Sequence, residues 1–411
     1  MRLWQHGAVF LLAIFVLVSR RPDALYRAQF FAEDGHVWFA DAYNLGWWNA
    51  LVRAQDGYFQ TFPRLAAALA LLTPLALAPL VLNLAAAAIQ ALPVNLLLSA
   101  RSSRWGSLGF RAFLAASYLA LPNCSEILIN VTNSQWLLAL CSFLLLVSQP
   151  PTGALQHGLD IAILALCGIT GPFCFFLLPI AAFMAWKRRE RWRWITTGVF
   201  LTSACVQAWA LLLINRAGRS HSTLGANPVL FARILAGQVY LGTILGGNSL
   251  AGNFHPRVFG VLLCAAIVGT FLLAVVFAQS GLEMRLFLIL TGVLFLASLI
   301  SPVAYPLPGQ SRWDVLAEVP GIRYWFFPTL ACAWSLLWAV RSRIEILRAV
   351  SVILLCAMCL GVVRDWRQPA LRDLHFVETA RRFDAVHSGT VMVFPENPPG
   401  WDMRLVKHTS R

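Results

Sequence analysis

Long apolar runs, broken at intervals by short basic clusters, dominate the pattern along this chain. Stretches at 3–19, 80–100, 109–122, 135–148, 158–170, 173–186, 195–214, 258–278, 286–303, 326–340 and 349–364 have the composition of membrane-spanning helices. Several are shorter than the roughly 20 residues that cross a full hydrocarbon core. Pro and Gly sit around them, which points to helices that stop early and line a cavity open to one side. The fold class expected is an all-α polytopic membrane protein with about 11 transmembrane helices. No small-x-small cleavage site follows the 3–19 segment before Arg20-Arg21-Pro22, so it reads as a retained first helix.

Basic clusters set the expected orientation. Arg101/Arg104/Arg111, Lys187/Arg188/Arg189/Arg191/Arg193 and Arg341/Arg343/Arg348 are compact and belong in the cytoplasm. Counting outward puts 123–134, 170–172, 215–257, 304–325 and the tail outside. The chain then divides into a transmembrane domain, 1–364, and a small extracytoplasmic tail, 365–411. The N-terminus is cytoplasmic and residues 20–61 form a large first extracytoplasmic loop. Parity leaves no ordinary span for the apolar stretch 62–78, with Pro63 and Pro74, so a re-entrant or interfacial helix is expected there. The tail offers a short helix (373–386), a strand (390–394) and the turn-rich PENPPGW (395–401), too little for a core of its own, and is expected to pack over the cavity.

Composition sharpens the picture. The chain is 59% hydrophobic and 12% charged, whereas a soluble domain covers itself with about 25% charged residues. Its net charge of +14 comes largely from arginine. In a membrane protein that charge flanks spans, and nucleic-acid binding is excluded. The nine cysteines, including Cys356 and Cys359, lie in apolar segments and behave as small hydrophobes. No P-loop, strand-linked GxGxxG or GxSxG is present, which removes nucleotide and serine-hydrolase chemistry.

Candidate chemistry gathers in loops. Of only 18 acids, Glu33, Asp34, Asp41 and Asp56 fall in residues 28–64. Trp38, Tyr43, Trp47, Trp48, Tyr58 and Phe59 are interleaved with them. Partial burial under such rings raises a carboxylate pKa towards the range of a general base, and Asp34, or its neighbour Glu33, is the candidate. In DGYFQTFPR (56–64), Gly57 permits a tight turn and Pro63 opens a helix that sets Arg64 in its first turn, where a guanidinium can hold phosphate. Glu126, Asn130 and Asn133 recur at helical spacing, as one polar face that would line the same cavity. Arg323-Tyr324 enters the next span as Arg64 enters its own. Glu33, Asp34 and His36 could hold a divalent cation, although no histidine, including His221, His255 and His375, has metal-ligand spacing. Each of these residues also has a bland reading, as solvated charge or interfacial anchor.

The order of these features resembles the GT-C integral membrane glycosyltransferases. AEDG (32–35), DGYFQTFPRLAA (56–67), the spaced Pro122, Glu126, Asn130, Asn133, Gln135 and Trp136, TGPF (170–173), IRYWFFP (322–328) and PENPPGW carry the resemblance, to a poorly characterised bacterial branch. It implies a polyprenyl-phosphate sugar as donor and a glycan or lipid acceptor on the outer face of the bacterial cytoplasmic membrane. It also implies inverting transfer with a base at Asp34 or Glu33. Arg64 and Arg323 are the candidates to meet the phosphate, with Asp56, Tyr58, Trp38, Glu126, Asn130, Asn133 and Tyr324 binding substrate. The rival reading is a lipid-linked-glycan flippase or other transporter, which would carry ionisable groups deep within its spans. Here the acids cluster in loops.

Overall fold

The computed structural model describes residues 3–213, 222–247 and 259–408; His221 and His255 lie outside them. The apolar stretches fold as helices: Leu3–Arg20, Ala78–Leu98, Leu108–Leu119, Ser134–Val147, Ala154–Gly168, Phe173–Arg188, Arg191–Leu213, Phe259–Gln279, Leu282–Ile300, Phe326–Ala339 and Glu345–Asp365. Among the described residues, 6 helices are long and apolar enough to cross a membrane, and Leu108–Leu119, Ser134–Val147 and Ala154–Gly168 are shorter apolar ones. The protein is thus a mostly helical membrane protein with one small two-stranded sheet.

A helix that is apolar on every face belongs at the centre of a bundle. Ser134–Val147 is buried at every position but Gln135, and Phe326–Ala339 is nearly as enclosed. Their side chains meet those of Leu282–Ile300 in a cluster of rings, with Phe287 and Trp334 centred 4.6 Å apart. Phe259–Gln279 and Glu345–Asp365 stay mostly exposed along their apolar lengths, as helices facing lipid do.

The two ends of the bundle differ in charge. At one end lie Arg101, Arg104, Arg111, Lys187, Arg188, Arg193 and Arg341. Several of these arginines cap helix C-termini, whose last carbonyls lack intrahelical partners: Arg111 donates to Leu97 O at 2.9 Å and Arg193 to Leu146 O at 2.5 Å. His6, near the N-terminus, meets Asn95 at this end. The other end carries the 20–61 segment and the tail, so the first helix starts at the arginine-rich end and finishes beside the tail.

One expectation about the fold stands, the short non-crossing helix within 62–78, and three are corrected. Residues 62–78 contain a helix, Thr61–Ala70, about 15 Å long at 1.5 Å per residue. It packs against Ala78–Leu98 and both its ends lie at the tail end of the bundle, so it does not cross. Residues 228–245, expected within an outer loop, form an apolar helix instead (Pro228–Leu245). Arg233 and Gln238 interrupt its apolar pattern, yet Gln238 is satisfied inside the fold: its Nε2 donates to Ala317 O, and its own carbonyl accepts from Asn123 Nδ2, both at 2.8 Å. The polar stripe of Glu126, Asn130 and Asn133 does not lie on a helix. Only Ser125–Ile127 makes a 3-10 turn, and Asn123 and Ile129 take positive φ. The asparagine side chains bond nearby backbone, Asn130 Nδ2 and Asn133 Nδ2 both donating to Glu126 O, which competes with helix formation.

The tail is the third correction. Its helix Phe376–Ala385 and the hairpin of β1 (Val391–Glu396) and β2 (Trp401–Val406) seat Phe376, Phe383, Phe394, Met403 and Leu405 against Phe30, Phe39 and Ala42 of the first loop. The tail buttresses that loop from behind. None of its described residues lines the cavity it was expected to cover.

Candidate functional site

A cavity of about 410 Å³ opens at the tail end of the bundle, between the 33–60 segment, the start of Ser134–Val147, the start of Phe173–Arg188 and the end of Leu282–Ile300. Local chemistry shapes each wall. Gln55 and Tyr58 exchange backbone hydrogen bonds of 2.8 and 3.0 Å around Asp56 (φ 54°) and Gly57 (φ 89°). Two positive φ values make this a type I′ turn, which Asp-Gly favours. Gln207 clamps the turn to TGPF: its Oε1 accepts from Phe59 N at 2.9 Å, and its Nε2 donates to Phe59 O and Gly171 O, both at 3.1 Å. Gly171 (φ 76°) leaves the space that the Gln135 side chain fills.

Glu33 and Asp34 enter a π-helical turn, Asp34–Phe39, and face opposite ways. Such turns recur at functional sites because they re-aim side chains. Glu33 lines the cavity with Asp56. Asp34 does not. It is 1% exposed; its Oδ1 accepts from Thr132 N at 2.9 Å and Thr132 Oγ1 at 2.6 Å, and its Oδ2 from Val131 N at 3.4 Å. Thr132 Oγ1 in turn accepts from Trp38 Nε1 at 3.0 Å. Asp34 therefore positions two cavity-lining residues, Thr132 and Trp38, and stands outside the cavity itself.

Burial pushes the Asp34 carboxyl up to about 7 against the pull of its three donors. Burial also raises Glu33. The Arg323 guanidinium opposes that shift, while Glu126 and Asp56 add to it. Glu396 of β1, behind the π-turn, accepts from His36 N at 3.0 Å and is driven up to about 9 by burial, so it is protonated at neutral pH.

Arg323 is the one cation on the cavity wall among the described residues. Glu126 holds it by two contacts, accepting from Arg323 N at 2.6 Å and from the guanidinium Nη1. Arg323 also stacks on Tyr324 at 5.0 Å, and Tyr324 OH accepts from Val303 N at 2.7 Å. Burial alone would lower the Arg323 pKa; the facing Glu126 and Glu33 carboxylates outweigh it and hold it raised.

Of the sequence-predicted residues, Glu33, Asp56, Tyr58, Trp38, Asn133, Arg323 and Tyr324 share this cavity. Glu126 and Asn130 stand behind it as supports. Arg64, expected to meet phosphate, is 1% exposed and lies behind Trp38, 5.1 Å from its ring, paired with Asp41 at 3.1 Å. Trp47 and Trp48 are exposed and do not line the cavity. The expected cation group is also dispersed: Asp34 is buried among donors and His36 turns to Asp402 O in the tail. Among the described residues no three His, Cys, Asp or Glu side chains gather to hold a metal ion. Glu33 and Asp56 alone do not fit a protein-caged divalent cation.

One feature of the wall escaped the sequence reading. Gln60 Oε1, Asn133 Oδ1, Gln135 Oε1 and Trp136 Nε1 are buried on the cavity wall with no hydrogen-bond partner. Buried polar atoms are almost always paired, so unpaired ones grouped on residues that line one cavity mark side chains that a hydroxyl-rich ligand would complete. Gln135 and Trp136 were visible as a QW pair, but only the fold aims them. On the other side Phe173, Phe176, Leu294, Ala297 and Val303 give an apolar wall. No family model and no curated protein matches the chain.

Proposed function

We propose that this protein is a GT-C-like membrane glycosyltransferase that moves a sugar from a polyprenyl-phosphate donor to a glycan or lipid acceptor at the outer face of the bacterial cytoplasmic membrane. One observation carries the reading. A single cavity joins a raised carboxylate, an anchored arginine, unpaired amide oxygens and an apolar wall, which together match a sugar, its phosphate and the first units of a lipid chain. The arginine-rich opposite end supports an outward-facing cavity by the positive-inside bias.

In this reading Glu33 is the base. An acceptor hydroxyl oxygen attacks the anomeric carbon while Glu33 takes its proton. The bond from that carbon to the phosphate oxygen breaks, and its electron pair leaves with the phosphate. Arg323, fixed by Glu126 before substrate arrives, stabilises the charge growing there, and such preorganisation is what makes a cation effective. Attack opposite the leaving group inverts the anomeric centre. Gln60, Asn133 and Gln135 accept from sugar hydroxyls, Trp136 Nε1 donates to one, and Trp38 and Tyr58 offer ring faces to sugar C–H groups. Phe173, Phe176 and Leu294 take the prenyl chain.

Glu33→Gln in membranes supplied with radiolabelled polyprenyl-phosphate sugar is the direct test. Donor binding should persist while formation of the new glycosidic product drops by about 10²–10⁴-fold, the range for loss of a general base. Undiminished product removes Glu33 from the mechanism. Labelled donor crossing the bilayer with no new glycosidic bond would instead identify the flippase.

A further inference from the structure

We infer that a second binding site, at the arginine-rich end of the bundle, takes the phosphate head of an anionic phospholipid. This site is independent of the reading above. It is a pocket of about 170 Å³ whose walls include Arg104, Trp105, Phe110, Glu283, Trp338 and Arg341. Its place follows from two antiparallel helices. The pocket takes Glu283 and Met284 from the start of Leu282–Ile300 and Trp334 and Trp338 from the end of Phe326–Ala339. The acidic cavity takes Leu294 and Ser298 from the first helix and Arg323-Tyr324 just ahead of the second. Helix Leu282–Ile300 has 19 residues, about 28 Å at 1.5 Å per residue, close to the thickness of a hydrocarbon core. The two sites therefore belong to opposite membrane surfaces.

Charge and hydrogen-bond capacity point to an anion. Glu283 is the only carboxylate on the pocket wall among the described residues, and it is divided between Arg188 at 3.4 Å and Arg104 at 4.0 Å. Arg341 has no carboxylate partner among the described residues; its guanidinium lies 4.6 Å over the Phe110 ring, which leaves its N–H groups for a ligand. Two arginines thus line the pocket against one carboxylate, and Arg188, from outside the wall, already pairs with that carboxylate. A separate sign comes from Trp105. It is 7% exposed, and its Nε1 is a buried donor on the pocket wall without a partner. Arginines and an indole N–H are all donors, so the group they complete is an acceptor with several oxygens, as a phosphate is. Basic pockets between transmembrane helices recognise lipid head groups on these grounds. Free phosphate has the same oxygens. The rings of Trp334 and Trp338, with Phe110, Leu114 and Met284, supply apolar contact that only the glycerol and acyl portion of a lipid would use.

The test uses the full chain purified in detergent and titrated, by native mass spectrometry, with phosphatidylglycerol and with phosphatidylcholine of the same acyl chains. Phosphatidylglycerol should be retained preferentially. Arg341→Gln should weaken that retention about fivefold, the worth of one basic residue near an anionic head group, and Arg104→Gln should act in the same direction. Arg343→Gln, exposed and outside the pocket, should leave it unchanged. Equal retention of the two lipids overturns the inference. So does an equal loss in Arg343→Gln, which would mean diffuse attraction to the basic end. Full displacement of the lipid by millimolar inorganic phosphate would reassign the pocket to a soluble phosphate and sink the lipid assignment.

Discussion

Replacing Asp34 by Ala separates an anchoring carboxylate from a catalytic one. The substitution removes the acceptor of Thr132 N at 2.9 Å and Thr132 Oγ1 at 2.6 Å, along with a weaker contact from Val131 N at 3.4 Å. A buried donor stripped of its partner costs about 1–3 kcal/mol. The hydroxyl can turn elsewhere and the backbone N–H cannot, so the expected loss is about 2–4 kcal/mol near pH 6. Thermal unfolding in detergent, followed by tryptophan fluorescence, reads it. The gap should narrow as pH rises. Asp34 is raised to about 7 in the fold from 3.8, so between those values the unfolded chain gives up its proton while the folded one keeps it. Wild-type stability from this group is therefore full at low pH and declines up to about pH 7, and the Ala variant lacks the decline. Asp34→Asn keeps an oxygen for both Thr132 donors and should restore most of the stability and the transfer activity. Two results refute the reasoning: an Asp34→Ala protein within about 0.5 kcal/mol of wild type, the range of an inconsequential surface change, or an Asp34→Asn protein of wild-type stability with no turnover. The second would return the base to Asp34.

Three further outcomes follow from the same geometry. Because Glu33 is raised by burial and must be ionised to accept a proton, the acidic limb of kcat/KM should lie above the ordinary glutamate value of about 4.3. Arg323 favours the Glu33 carboxylate, so Arg323→Met should move that limb to higher pH, as initial rates across a buffer series would show. The same substitution should lower turnover by about 10²–10³-fold, the loss seen when one preorganised donor to developing charge is deleted, with Arg323→Lys intermediate because it lacks the fork that meets Glu126. Glu396 is raised to about 9 in the fold, so its contribution to stability is full below about pH 4.3, its unfolded value, and lost as pH climbs towards 9. Glu396→Gln should abolish that part of the alkaline fall in the melting midpoint while still accepting from His36 N.

What the chain discloses before folding divides along physical lines. The apolar helices are legible because lipid and core both demand long runs of one polarity, and Ser134–Val147 announces its central place by being apolar on every face. Pro228–Leu245 was hidden because Arg233 and Gln238 break its apolar pattern, and the partners that satisfy Gln238, Ala317 and Asn123, are remote in sequence. The 122–133 stripe failed for the opposite reason: asparagines at helical spacing can bond their own backbone instead, and spacing alone does not register that competition. At the site, acids and aromatics beside the first helix marked the segment that lines the cavity, but not which of its two adjacent carboxylates faces it. Glu33 and Asp34 are adjacent, and which of them meets the cavity depends on the π-turn at 34–39 and on the Thr132 donors that draw Asp34 inward. A shift of one residue in that turn would exchange the buried carboxylate and the cavity-facing one. The loop is held by the tail's Phe376, Phe383 and Phe394 on its far side, and Glu396 lies against the turn itself. Residues 376–396 of the tail thus fix the aim of Glu33 and Asp34, a dependence that no local pattern carries.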